Sequence, residues 1–223
     1  MSVRRSLRRV HLWLGWVIGV PLLFWTLSGL WMAARPIAEV RGTALRADAP
    51  PLTLPRRLAS PQVTGAVAAM VEMQRGTPRW IVTFADGSMR RADMTGGRPL
   101  PPVDRPEALA LARAAYRPAS RIVAATRFAA AAAPLDLRRP RPSWQIAFAD
   151  GTHLYLDADT GSVLALRTDQ WRLYDWMWGL HIMDLGGRED THHPVLIASA
   201  ALALIATVLA LFLLPLAQKR GRR

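Results

Sequence analysis

Two stretches of the chain show no alternation of polar and apolar positions. Residues 195–214 form an apolar run whose most polar members are Ser199 and Thr207, and residues 10–34, between Arg9 and Arg35, hold His11 as their sole ionisable side chain. As helices rising about 1.5 Å per residue, each covers roughly 30 Å or more, the hydrocarbon thickness of a bilayer. Two transmembrane helices are predicted, which excludes a fully soluble protein. Between them the pattern changes to short runs alternating at every second residue and broken at Asp-Gly and Thr-Gly pairs, the signature of strands and hairpins.

The intervening segment repeats itself at an offset of 64 residues: Trp80, Phe84, Asp86, Gly87, Asp93 and Gly97 recur as Trp144, Phe148, Asp150, Gly151, Asp157 and Gly161. In each copy alternating apolar residues lead into Asp-Gly, a strong hairpin signal, and a second strand follows. In the second copy that strand covers 153–157, and Asp159-Thr160-Gly161 turns the chain into a third, 162–166. Alanine-rich stretches upstream, residues 61–73 and 106–116, are predicted helices. The latter has Asp104 as N-cap and Glu107 at the capping-box position. Each unit reads as a helix packed on a small antiparallel sheet, with residues 129–133 and 138–142 as linker and solvated charge.

The formal charge of +13 invites a nucleic-acid reading until its location is considered. Arg4, Arg5, Arg8 and Arg9 precede the first span, and Lys219, Arg220, Arg222 and Arg223 follow the second. Short basic flanks of this kind hold the positive side of a membrane protein in the cytoplasm. Both termini are expected there, with residues 36–192 in the periplasm of a bacterial inner-membrane protein, and nucleic acid is not an expected partner. The first apolar run carries Trp13, Trp16, Trp25 and Trp31 and is too long for a cleaved secretory signal, so it reads as an anchor. With no cysteine, disulfides, iron–sulfur clusters and thiolate chemistry are excluded. No Gly-x-Gly-x-x-Gly, Gly-x-Ser-x-Gly or His-Glu-x-x-His occurs, so neither an NAD or flavin fingerprint nor a hydrolase signature is present.

A helix followed by Trp-x-Val/Ile-x-Phe-x-Asp-Gly and a strand ending in Asp-x-x-Thr-Gly-x-Val-Leu resembles the PepSY domain. The second copy, with Asp157, Thr160, Gly161, Val163 and Leu164, fits more closely; in the first, Arg90 and Arg91 replace apolar strand residues, and Thr95-Gly96-Gly97 replaces the Thr-Gly turn. The first span, from Arg9-Val10-His11 through Trp25-Thr26-Leu27-Ser28-Gly29, and Leu180-His181 before the last helix are similar to the PepSY-associated transmembrane family. The resemblance extends over most of the chain, from about residue 5 to residue 216. It implies an α+β membrane protein: a tail (1–9), a first span (10–34), a degenerate repeat (35–103), a second repeat (104–168), an interfacial aromatic helix and loop (169–193), a second span (194–216) and a basic tail (217–223). The family includes inner-membrane iron and siderophore reductases and haem-bearing subunits, often with four spans. The resemblance therefore implies transmembrane electron transfer to an acceptor such as a ferric chelate or a periplasmic flavoprotein, fed by a membrane or cytoplasmic donor. Isolated PepSY domains are also thought to regulate peptidases. That keeps a second, non-enzymatic reading open, a membrane-anchored sensor or inhibitor that takes peptide along its strand edges.

The histidines bear on the choice, because ionisable groups in or beside a span are costly and suggest function. His11 lies one turn inside the first helix. Gly15 and Gly19 follow on one face, leaving a gap for a broad group such as haem b, or for the close packing of another helix. Residues 171–185 are aromatic but interrupted by Arg172, Asp175 and Asp184, which suits a helix lying in the interface. It would bring His181 inward beside Met177 and Trp178; a histidine satisfied by a carbonyl is the alternative. His192-His193-Pro194 opens the second span, and His193 is the other candidate outer ligand. His153 reads as an exposed strand residue. His11 and the His181/His193 end lie at opposite faces of the bilayer and cannot share an iron, so a homodimer that rebuilds a four-helix bundle is the economical way to supply paired ligands.

Overall fold

A computed structural model describes residues 3–218; the basic tail, Lys219 to Arg223, lies outside the described residues. In chain order the elements are α1 (Val3–Ala33), α2 (Ile37–Val40), β1 (Ala66–Gln74), β2 (Thr77–Phe84), β3 (Met89–Asp93), α3 (Arg105–Ala115), β4 (Ile122–Phe128), β5 (Ser143–Phe148), β6 (His153–Asp157), β7 (Val163–Arg167), α4 (Asp169–His181) and α5 (Pro194–Gln218). They form two compact units, one of Met1–Pro36 with Leu173–Arg223 and one of Ile37–Arg172.

In the first unit α1 packs along α5, which begins at Pro194, a residue suited to a first helical turn. The apolar stretches Arg5–Ala33 and Pro194–Leu213 are long enough to span, and 6% of each is buried within the chain. Trp16 is 80% exposed and Leu30 71%. So continuous an apolar surface is not stable in water, and lipid is the solvent that suits it. The chain is a membrane protein with two candidate spans.

The second unit holds two antiparallel sheets, ordered β1-β2-β3 and β4-β5-β6-β7. The repeat is exact in its joints. Both Asp-Gly loops close with the same pair of backbone bonds, Phe84 N to Ser88 O and Gly87 N to Phe84 O in one copy, Phe148 N to Thr152 O and Gly151 N to Phe148 O in the other. Both first strands carry a bulge opposite the same phenylalanine position, at Ala66/Ala68 against Phe84 and at Ile122/Ala124 against Phe148. Both tryptophans donate Nε1–H to an upstream carbonyl, Trp80 to Ala59 at 3.0 Å and Trp144 to Val103 at 2.9 Å.

Asp104 caps α3 as expected, its Oδ1 accepting from Glu107 N at 2.8 Å, but the Glu107 carboxylate, at the capping-box position, pairs with Arg91. It lays Ala108, Leu111 and Ala112 on Trp144, Ile146, Leu154 and Leu156 to form the main core. The helix expected over residues 61–73 is instead strand β1, because the Arg75-Gly76 turn folds this segment back onto β2 in register from Gln74↔Thr77 to Ala66↔Phe84. The second sheet likewise has a fourth strand, β4. Of the stretches expected as linker and solvated charge, 129–133 and 138–142, the first contains a short 3₁₀ turn, Ala130–Ala132, and between the two a second, Leu135–Leu137, buries Leu137 against Tyr155 and Ala165.

Arg91, out of place in an apolar strand pattern, is 4% exposed; it forms a bidentate pair with Glu107 of α3 at 2.5 and 2.6 Å and donates to Pro101 O. The end of β1 reaches the second repeat, Gln74 Nε2 donating to Thr160 O at 2.8 Å and Glu72 Oε2 accepting from Ser162 Oγ at 2.5 Å.

Candidate functional site

His181 ends α4 and meets the upper part of α1 within the helical unit. Its ring stacks on Trp25, centroids 5.0 Å apart and planes 13° from parallel. Its Nδ1 lies 3.0 Å from Trp25 O and 3.2 Å from Ser28 Oγ, and the Ser28 hydroxyl itself donates to Phe24 O at 2.7 Å. A carbonyl oxygen only accepts, so Nδ1 must carry the proton in that bond. In that tautomer the lone pair lies on Nε2, which no described residue hydrogen-bonds. Gly29 makes the site: a Cβ there would stand 2.9 Å from His181 Cε1. One turn pair further along, Tyr174 lies against Trp31, centroids 6.2 Å apart.

The loop between α4 and α5 is organised by Asp184. Its Oδ1 accepts from Gly187 N at 3.0 Å, and its Oδ2 accepts from Glu189 N and Asp190 N at 3.1 and 3.2 Å. The backbone N–H of Asp190 leads the donors that hold this carboxyl down to about 2, and the charge of nearby His193 adds to them. Arg188, in the left-handed region at φ 57°, pairs with Asp175 at 2.8 Å and covers Trp176 with its guanidinium 4.1 Å from the ring centre. His193 is half-buried, and its Nδ1 is shielded from solvent without a partner among the described residues.

His11 is also half-buried, and its Nδ1 is likewise buried with no described partner. Gly15 and Gly19 on the same helix are exposed and have nothing within 4 Å of where a Cβ would stand. From His11 to the Trp25 carbonyl is fourteen residues of helix, roughly 20 Å, so His11 and His181 are held apart. Among the described residues no group of three or more His, Asp or Glu side chains is placed to hold a metal ion. His153, expected to be exposed, is half-buried with Nδ1 3.8 Å from Asp136, which Arg172 also approaches at 3.4 Å.

Haem is the group the family resemblance suggests, and His181 and His11 are the residues that could hold it. His181 has one nitrogen tied to a peptide oxygen and the other bare, and His11 has an unpartnered nitrogen beside a face cleared by two glycines. The alternative expected for His181, a histidine satisfied by a carbonyl, is what the structure shows at Nδ1, with Trp25 O as the acceptor; Ser28 and Gly29 entered the sequence reading only through the first span, without a connection to His181. Their one sequence signal is the pair of small residues, Ser28-Gly29, one turn beyond a tryptophan. A backbone acceptor leaves no mark on side-chain identity.

No curated protein and no solved structure matches the chain. The family description "PepSY-associated TM region" matches residues 1–216, nearly the whole length and both apolar helices, and the chain belongs to the PepSY-associated TM region family.

Proposed function

We propose that this membrane protein binds b-type haem and passes electrons to an extracytoplasmic acceptor, a ferric chelate or a flavoprotein. The observation that carries the reading is the state of His181, with Nδ1 held by Trp25 O and Ser28 and Nε2 unengaged. Histidines that ligate iron donate their other ring N–H to a carbonyl or carboxylate, which fixes the tautomer and raises the basicity of the free nitrogen. His181 would hold one haem, with His193 the other candidate at that end, and His11 on the Gly15/Gly19 face would hold a second. Haem bound there supplies one-electron chemistry at a potential tuned by ligand and surroundings.

Trp25 and Ser28 orient the His181 ring, Gly29 gives it room, and the Asp184 loop fixes the end of α4. A second copy related by a two-fold axis would supply the paired ligands. With no dinucleotide fingerprint in this chain, electrons come from a membrane or cytoplasmic donor. The proposed orientation has both termini in the cytoplasm of a bacterial cell and residues 36–192 in the periplasm.

The test is the reduced-minus-oxidised absorbance of the purified protein in detergent with equimolar haem. A six-coordinate b-type spectrum is expected, diminished in His181→Ala and unchanged in His153→Ala. A folded preparation that stays colourless would sink the reading. Because the chain has no cysteine, single replacements report orientation: Thr53→Cys should label in whole cells with an impermeant maleimide, and Ser6→Cys should label only after lysis.

A further inference from the structure

Within the 37–172 unit lies a groove of about 720 Å³, bounded by the end of β1, helix α3, the turn into β7 and the proline-containing segment 46–52. This is within the few hundred to about 1,000 Å³ typical of small-molecule sites. Its surface is mostly apolar, with Val71, Leu111, Leu156 and Val163 in the lining.

The polar groups in the lining are unevenly satisfied. Both acids are engaged, Asp48 with Arg117 at 2.9 Å and Glu72 with Ser162 Oγ at 2.5 Å. Both cations, Arg46 and Arg75, are exposed and pair with no acid among the described residues. Gln74 is 7% exposed; its Nε2 donates to Thr160 O and Glu72 Oε1, which fixes the amide orientation and leaves Oε1 buried without a partner. Buried acceptors are ordinarily satisfied, and one that is not, in the lining of a groove, points to a missing donor.

We infer that this groove binds a small amphiphilic carboxylate: an apolar body against Leu111, Leu156 and Val163, a carboxylate toward Arg46 and Arg75, and an N–H or O–H beside it toward Gln74 Oε1. N-acylated apolar amino acids carry all three features. A cationic ligand would meet two unpaired arginines, and a purely apolar one would leave them and Gln74 unanswered. The inference is independent of haem and of the histidines.

The probe is dansyl-leucine, whose sulfonamide N–H adjoins its carboxylate, titrated by fluorescence against the full-length protein in lipid nanodiscs. Saturable binding above that of empty nanodiscs is expected, competed by N-acetyl-leucine. Arg46→Gln should weaken it about tenfold, as loss of one charge-assisted contact does. Dansyl-leucinamide, lacking the carboxylate, should be weakened by a similar factor, and Arg98→Gln, outside the groove, should change nothing. Val163→Trp fills the groove and should abolish binding; should it disturb the fold, the exposed Arg46→Gln variant and the dansyl-leucinamide comparison still decide. Acid and amide binding equally well, Arg46→Gln binding like the parent, or no signal above empty nanodiscs would each overturn the proposal. A dansyl tripeptide ending in leucine that binds tighter than dansyl-leucine would replace the small molecule by a peptide.

Discussion

Three glycines on one helix separate two kinds of empty space. At Gly29 a methyl group gains about 1 kcal/mol of helix propensity but would stand 2.9 Å from the His181 ring, and overpacking of that kind costs about 1–3 kcal/mol. Gly29→Ala should therefore lower the melting temperature in detergent and displace His181, with loss of whatever absorbance depends on it. Gly15 and Gly19 meet nothing within 4 Å, so in a monomer Gly15→Ala should be neutral or stabilising by up to about 1 kcal/mol. Loss of dimer or of haem in that variant would reveal a neighbour from outside the chain. Asp184 and Asp93 make a second residue-scale case, each held down to about 2, Asp184 chiefly by Asp190 N–H and Asp93 chiefly by Gly96 N–H. Their folded-state values lie below the unfolded carboxylate's, about 3.9. The stability they contribute is thus complete above about pH 5 and lost as pH falls toward 2. Asp184→Asn should remove it at every pH, because an amide NH₂ in place of Oδ2 would face the Glu189 and Asp190 N–H groups; faster hydrogen exchange at residues 187–190 is the readout. His11 was legible because an ionisable group in an apolar run stands out, and His181 and His193 because they stand just ahead of such a run; a carbonyl partner for His181 was legible as an alternative, but not that the carbonyl is Trp25's.

At the scale of elements, local propensity and tertiary pairing compete, and β1 shows pairing winning. Its residues, Ala-Val-Ala-Ala-Met-Val-Glu-Met-Gln, favour helix by composition, yet β2 has an edge to fill and the turn at Arg75-Gly76 returns the chain to it. The overlooked signal was that turn, with Gly76 at φ 79°. Gly76→Ala should cost about 1–2 kcal/mol in denaturant unfolding, the penalty of a left-handed residue with a Cβ. β4 was missed for a related reason: its copy of the hairpin has a longer connection, so the 64-residue offset that aligns β2 with β5 and β3 with β6 does not align β1 with β4. The arginine that looked like decay in the first repeat instead fastens β3 to α3. Glu107→Gln would leave Arg91, 4% exposed, without its anion. A loss of about 3 kcal/mol is expected, at the low end for a buried pair because Glu107 keeps some water. Replacing both, Arg91→Met with Glu107→Leu, should recover much of that; a double variant as unstable as Glu107→Gln would show that the remaining contacts of Arg91, such as Pro101 O, matter more.

For the molecule as a whole, the two-span architecture and the tandem repeat were readable because each is a periodic signal tens of residues long, whereas assembly depends on surfaces the chain leaves uncovered. The ligand arithmetic turns this into a measurement. His11 and His181 are separated by roughly 20 Å along α1, and the apolar run of α5 offers no histidine. If each iron is held by the same histidine from two copies, haem saturates at one per chain, two per dimer, and either His11→Ala or His181→Ala removes half of it. If instead each chain binds haem alone through one histidine and a weaker ligand, saturation reaches two per chain and the haems are five-coordinate or easily displaced. Mixing the two variants distinguishes these further. In a heterodimer of His11→Ala with His181→Ala, each level keeps one histidine, so the paired arrangement loses both six-coordinate spectra while the unpaired one retains half of each. Co-purification with two tags and a haem titration would read the outcome, and a heterodimer with half of each parental spectrum intact would rule out ligation across a two-fold axis.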